Sequence, residues 1–393
     1  MKNLRKIVSV VLACVLMMSA VSALADKVTL KVWGSNDDQK VLGELIEEFK
    51  AANPDTEWDI SLGVVGEPDA RARYQEDPAA AADVFAFAND QLIDLVNSGA
   101  LRRITLNLDQ IAAANTAGSI ESATLDGTLY GYPKSADNGY FMYYDKSVFT
   151  EEDVKTLDGM LKKANEAGKK VFMDLSNGWY IASFFLGAGG QLTVDENGKQ
   201  VCDFNNANGL AAAEAIKAFA ADPAFLTGDD SVLVGMFGTT IAAGVSGTWN
   251  ATVIAEKLGE NYAACALPTF TCGGEQVPMA SFIGTKVVGV NSQTAAPLQA
   301  FQLAEFITNE AAQVKFFEQR ELGPTNIAAA SNPAVLENIA LAALSAQGVN
   351  GVSQKLVLGG YWTPAEAFGL AMENKSTEDL QSLLDKMVAQ IVE

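Results

Sequence analysis

From Val28 onward, short β-branched runs alternate with longer stretches whose apolar residues recur at helical spacing. This alternation restricts the fold more than any other feature of the chain. Val28–Trp33 alternates with period two and reads as a strand. Lys40–Ala52 sets Val41, Leu42, Leu45, Ile46 and Phe49 on one helical face and stops at Asn53-Pro54. Trp58–Val65 and Asp83–Phe87 read as further strands, and Gln91–Ser98 as a helix closed by Gly99. The order β-α-β-(α)-β-α predicts an α/β fold, a mostly parallel sheet with helices on both faces. Leu125–Thr128 reads as a hairpin turn, Lys134–Gly139 as a polar connection between lobes, and Tyr140–Tyr144 as a strand of unusual aromatic weight. The pattern then recurs, with helices expected at 156–167, 179–186, 209–221, 297–307, 333–346 and 378–392. Strands are expected at 171–174, 264–267 and 286–290. At 393 residues the chain fits two domains, with no repeat of 20 to 50 residues.

The first 25 residues stand apart. Lys2, Arg5 and Lys6 precede an apolar run from Ile7 to about Ala20, and Ala23-Leu24-Ala25 forms a small-residue cleavage box. This is the pattern of a secretory signal peptide; a membrane anchor would need a longer run. Cys14 sits in a loose lipobox, but the apolar residues after it fit a lipoprotein poorly. Cleavage leaves 24 basic and 48 acidic residues, a net charge of −24. The mature chain keeps Cys202, Cys265 and Cys272. Cys265 and Cys272 either pair, as export permits, or remain buried thiols.

Composition excludes several chemistries. There is no histidine, so Ser-His-Asp and Cys-His catalysis and His-ligated metals are ruled out. The acidic balance argues against nucleic acid, which needs clustered Lys and Arg. Asp195–Gly198 has the wrong spacing for a calcium loop and reads as a hairpin turn. No metal or cofactor is expected.

The order of motifs resembles the extracellular solute-binding proteins of ABC importers, specifically the sugar-binding family that includes maltose/maltodextrin-binding protein. The carriers are LKVWGSND, EEFKAANP, ADVFAFANDQLIDLVNSGAL, LDGTLYGYP, YYDKSVF, FLGAGGQ, VSGTWNA, ALPTF, VVGVN and LGPTNIAA, spread over the mature chain. The resemblance implies a two-lobed clam shell of the periplasmic-binding-protein type II fold. One lobe would hold residues 26–136 plus 284–332, the other 137–283 plus 333–393. It further implies a monomer on the periplasmic or extracellular face of the membrane, which delivers its ligand to an ABC transporter permease.

Sugar capture has recognisable requirements. A pyranose presents an apolar face, suited to aromatic rings, and a rim of hydroxyls, suited to carboxylates and amides. By the resemblance, Asn36, Asp37 and Asp38 follow the first strand in a hydroxyl-binding loop. Phe87 and Asp90 are a ring and an acid at the end of the third strand. The maltose-binding pattern has tryptophan at the Phe87 position and arginine where this chain has Gln91. Asp137, or Asn138 beside it, matches an acidic ligand in the crossover segment. Trp179, with Tyr180 as the alternative, matches an aromatic platform. Trp249 keeps the Gly-x-Trp pattern, with Thr248 in place of proline, and Tyr361 or Trp362 matches a late aromatic. Trp58 is assigned to the core. The competing readings are a receptor for a polyamine or peptide and a secreted glycosidase using Asp90 and Asp137 as its carboxylate pair.

Overall fold

The computed structural model describes residues 27–392; the expected signal peptide and Cys14 lie outside the described residues. Two sheets organise the chain. The first has the order Gly351–Ser353, Ser281–Val290, Val84–Ala88, Lys27–Gly34, Glu57–Val64, with Gly131–Gly139 also paired to Ser281–Val290. Lys27–Gly34 is parallel to both neighbours, whereas Ser281–Val290 runs antiparallel to Val84–Ala88 and to Gly131–Gly139. The second sheet has the order Phe225–Leu226, Lys170–Phe172, Ile241–Ser246, Phe141–Asp145, Tyr262–Cys265. Each sheet thus combines parallel pairs with an antiparallel strand set within it, Ser281–Val290 in the first and Phe141–Asp145 in the second, while Gly351–Ser353 lies parallel to Ser281–Val290.

Each sheet carries its own core. In the first lobe, Val41, Leu42, Leu45, Ile46 and Phe49 of helix Gln39–Ala52 are all buried against the sheet, as their spacing requires. The Asn53 side chain closes that helix on Phe49 O, and Trp58 packs edge-on against Phe49. The second sheet is covered on both faces. Phe141 and Tyr143 enter one cluster, while Met142 and Tyr144 enter another, which explains why Phe141–Asp145 has no polar face. Asparagine starts several helices here: Asn177, Asn206, Asn309 and Asn338 each accept a backbone N–H from the first turn.

Two expectations are corrected, and one alternative left open for the cysteines is decided. Residues 134–139 are not a polar loop but part of the continuous strand Gly131–Gly139, whose Lys134, Ser135 and Asp137 are buried, with Lys134 and Asp137 Oδ2 met by distant partners. The helix expected over 333–346 is two, Pro333–Leu336 and Ile339–Gln347, because the Asn338 side chain caps Leu341 N and restarts the helix. Cys265 and Cys272 are free thiols, as is Cys202. The turn at Asp126-Gly127 has both residues at positive φ between short paired strands, as a tight hairpin demands. Among the described residues, no helix is long and apolar enough to cross a membrane.

Candidate functional site

Of the expected site residues, Asn36–Asp38, Asp90 and Trp249 follow strands, Phe87 and Asp137 lie within strands, and Trp179 and Trp362 stand at helix starts. The first strand runs into the turn Asn36–Asp38, which Gln39 pins by donating to Gly34 O and Ser35 O, both at 3.0 Å. Asn36 and Asp37 are exposed. Asp38 is not: it is 2% exposed, and Lys134 Nζ lies 2.5 Å from its Oδ2 and 2.8 Å from Glu67 Oε1. Burial is the largest influence on Asp38 and opposes its charge. The charge and hydrogen bond of Lys134, with Lys286 and Arg320 nearby, outweigh it and hold the carboxyl at about 2. Burial likewise opposes the Lys134 charge, and the two carboxylates overcome it and raise the ammonium above its ordinary value. Arg320 clamps the loop from outside, reaching Asp37 Oδ2 at 3.2 Å and Asp38 Oδ1 at 3.3 Å. Asp38 therefore anchors the loop that presents Asn36 and Asp37, rather than offering itself to a ligand.

At the third strand end, Phe87 and Asp90 part company. Phe87 has no exposed surface and packs within the first core, 6.0 Å from Phe85, so its ring presents no face to the cleft. Asp90 is buried and its Oδ1 accepts from Gln354 Nε2 at 2.9 Å. Burial pushes its carboxyl up to about 7, against the attraction of Arg71. Gln91 is structural: it donates to Glu67 O and Pro68 O and accepts from Arg71 N, tying the neighbouring turn. Asp137 has no exposed surface. Its Oδ2 accepts from Thr248 Oγ1 at 2.6 Å, while its Oδ1 is buried without a hydrogen-bond partner.

The second lobe supplies rings. Asn177 caps helix Gly178–Gly187 and places Trp179 in its first turn. The Trp179 ring lies 4.6 Å from Tyr140, 5.4 Å from Tyr180 and 5.8 Å from Trp249. Its Nε1 donates to Gln354 Oε1 at 2.9 Å, so Gln354 links an acid of the first lobe to an indole of the second. Trp249 follows strand Ile241–Ser246 in the turn Thr248–Asn250 and donates to Asp230 Oδ2 at 2.9 Å. Gly247 permits this: a Cβ there would stand 1.9 Å from the Trp249 ring. Asp230 is an exposed residue, yet its carboxyl is tucked against Trp249 and Asn250. That loss of water, with repulsion from Asp229 and from Asp37 of the other lobe, raises it above its ordinary value. Tyr361 is fully buried with its hydroxyl on Gly178 O, so it belongs to the core. Trp362, 5.0 Å away, keeps partial exposure beside Gly178.

Trp179 and Trp249, 70 residues apart in sequence, thus meet with their rings 5.8 Å apart, while Trp362 packs on Tyr361 and Phe282 beside Gly178. Asp137 is tied to the Trp249 turn through Thr248, Asp90 is tied to Trp179 through Gln354, and Asp37 of the first lobe lies near enough to Asp230 to repel its charge. Phe87, Tyr361 and Asp38 are drawn away into packing or ion pairing. Sequence reasoning missed Gln354, Lys134, Lys286 and Arg320, lone polar residues whose roles depend on partners 67 to 283 positions distant in the cases of Lys134 and Arg320.

A family model described as bacterial extracellular solute-binding protein matches residues 44–343. The chain belongs to that family. Relatives of this solute-binding protein include the galactooligosaccharide-binding protein of Bacillus subtilis (strain 168), 27% identical over 359 residues, 86% of this chain and 83% of the relative. A structure solved with acarbose is 32% identical with a TM-score of 0.86, covering 93% of this chain and 99% of that one. The maltodextrin-binding protein MalE1 from L. casei BL23, solved without ligand, is 25% identical with a TM-score of 0.79 and the same coverages. The two-lobed architecture of the solute-binding protein is the one these structures share.

Proposed function

We propose that this solute-binding protein captures an oligosaccharide in the cleft between its lobes and delivers it to the permease of an ABC importer. The observation that carries the reading is the meeting of the Trp179 and Trp249 rings, 5.8 Å apart, next to Asp137, whose Oδ2 is held by Thr248 and whose buried Oδ1 lacks a hydrogen-bond partner. Flat rings fit a sugar's apolar face, and an unfilled carboxylate oxygen fits a hydroxyl. Relatives named for galactooligosaccharide and maltodextrin binding, and a structure holding acarbose, support the same ligand class. The lobes divide as 26–136 plus 284–332 and 137–283 plus 333–393, and the ligand favours the closed conformer because both contact it. No bond is made or broken. The protein works outside the cytoplasm after its leader is removed.

The test is calorimetry of the mature chain against maltotriose, β-1,4-galactotriose, spermidine and a tripeptide. Saturable heat is expected from a trisaccharide alone. Trp249→Ala should weaken it about 30-fold or more, roughly 2 kcal/mol, with unchanged far-UV dichroism. Binding of spermidine or peptide without sugar would replace this reading, and release of new reducing ends from maltotriose would point to a glycosidase.

A further inference from the structure

Lys286 was not singled out by its sequence, yet the fold goes out of its way to aim it. It sits on strand Ser281–Val290, and the pairing of that strand with Gly131–Gly139 slips on both sides of it, between Gly284 and Lys286 and again between Lys286 and Val287. Such irregularities turn a side chain out of the regular alternation. The Lys286 side chain is 12% exposed and makes no hydrogen bond among the described residues; its ammonium stands 4.0 Å from Asp137 Oδ1, beyond hydrogen-bond reach. It also lies 5.9 Å above the centre of the Trp249 ring.

A nearly enclosed donor without an acceptor thus faces a wholly buried acceptor without a donor, beside an indole. The two form an ion pair at 4.0 Å but no hydrogen bond, and burying either group without one is costly. The carboxylate is fixed in this attitude, because Thr248 holds its other oxygen at 2.6 Å. Thr248 also precedes Trp249, so one short turn sets both the acid and the ring. An oxygen about 2.8 Å from each group would span the 4.0 Å gap and satisfy both. Only a group that donates and accepts at once does this, and an alcohol is such a group.

We infer that Lys286 is a ligand-binding residue which, with Asp137 Oδ1, holds one sugar hydroxyl while the same sugar ring lies against Trp249. This rests on the oligosaccharide reading and deepens it. The subsite demands a free hydroxyl: a deoxy or O-methyl sugar cannot fill both partners.

Lys286→Met keeps the aliphatic stem and removes the donor. Calorimetry with maltotriose, or β-1,4-galactotriose if that binds more tightly, should show affinity reduced about 10- to 100-fold, the range of hydrogen bonds to charged groups. Lys286→Gln, which retains a donor, should recover part of the loss. Monodeoxy versions of the same trisaccharide supply a second measurement that needs no folded variant. One of them should lose at least a similar factor on the wild-type chain, and the same deletion should cost Lys286→Met less, because only the Asp137 contact is then left to lose. Affinity of Lys286→Met within twofold of wild type, or equal tolerance of every deoxy position, overturns the assignment while leaving sugar capture intact. If the wild-type chain binds neither trisaccharide, the oligosaccharide reading falls and this inference falls with it.

Discussion

Asp90 and Asp38 are carboxylates of the same lobe driven in opposite directions by what surrounds them. Asp38 has Lys134 at its oxygen and stays ionised in the interior. Asp90 has the neutral amide of Gln354 instead, so burial prevails and lifts it to about 7. The consequence for stability has a definite sign. Between the ordinary aspartate range and about 7 the folded chain holds a proton on Asp90 that the unfolded chain has released. Stability from this residue is therefore lost as pH rises through that window and levels above it. Asp90→Asn should flatten this decline. Thermal unfolding at pH 5 and pH 7.5 should show wild type losing at least about 2 °C more than the variant across that interval. An equal fall in both proteins would show that Asp90 is already ionised at pH 5. None of this contrast was legible in the residues themselves. Asp38 and Asp90 both follow a strand and precede a helix, and the neighbours that separate them, Lys134 and Gln354, are distant in sequence.

Strands and helices with one clear face were legible. The period-two run at Val28–Trp33 and the apolar stripe of Gln39–Ala52 lie where their patterns put them. Elements whose polar residues are satisfied by remote partners were not. Lys134–Gly139 reads as a connection because Lys134, Ser135 and Asp137 mimic turn residues, and only the first lobe's acids and Thr248 explain the burial of Lys134 and Asp137. The helix Trp362–Glu373 shows how a site ring depends on its element. Gly369 on that helix meets the loop after strand Lys170–Phe172, where a Cβ would come 1.8 Å from Leu175 O. A backbone oxygen cannot yield as a side-chain tip does, so Gly369→Ala must push the helix outward, and Trp362 at its start moves with it. The variant should unfold at lower urea concentration, by roughly 1–3 kcal/mol, and bind sugar more weakly. Unchanged urea midpoint and affinity would mean the helix does not set the ring.

At the scale of the molecule, the chain leaves and re-enters the first sheet so that Gly131–Gly139, Ser281–Val290 and Gly351–Ser353 all belong to it while their continuations pack in the second lobe. Asp137, Lys286 and Gln354 lie on or directly after these strands, which is why the groups facing both lobes come from them. On the proposed function, closure of the lobes on a ligand would engage the tryptophans of one side and Asp90 and Lys286 of the other in a single step. The most direct test is a crystal structure of the mature chain with the trisaccharide that binds it best. The account predicts a sugar ring against Trp249, flanked by Trp179 and Trp362, with a hydroxyl between Asp137 and Lys286. A trisaccharide bound on an outer surface, with those three rings and the Asp137 carboxylate untouched, would contradict it.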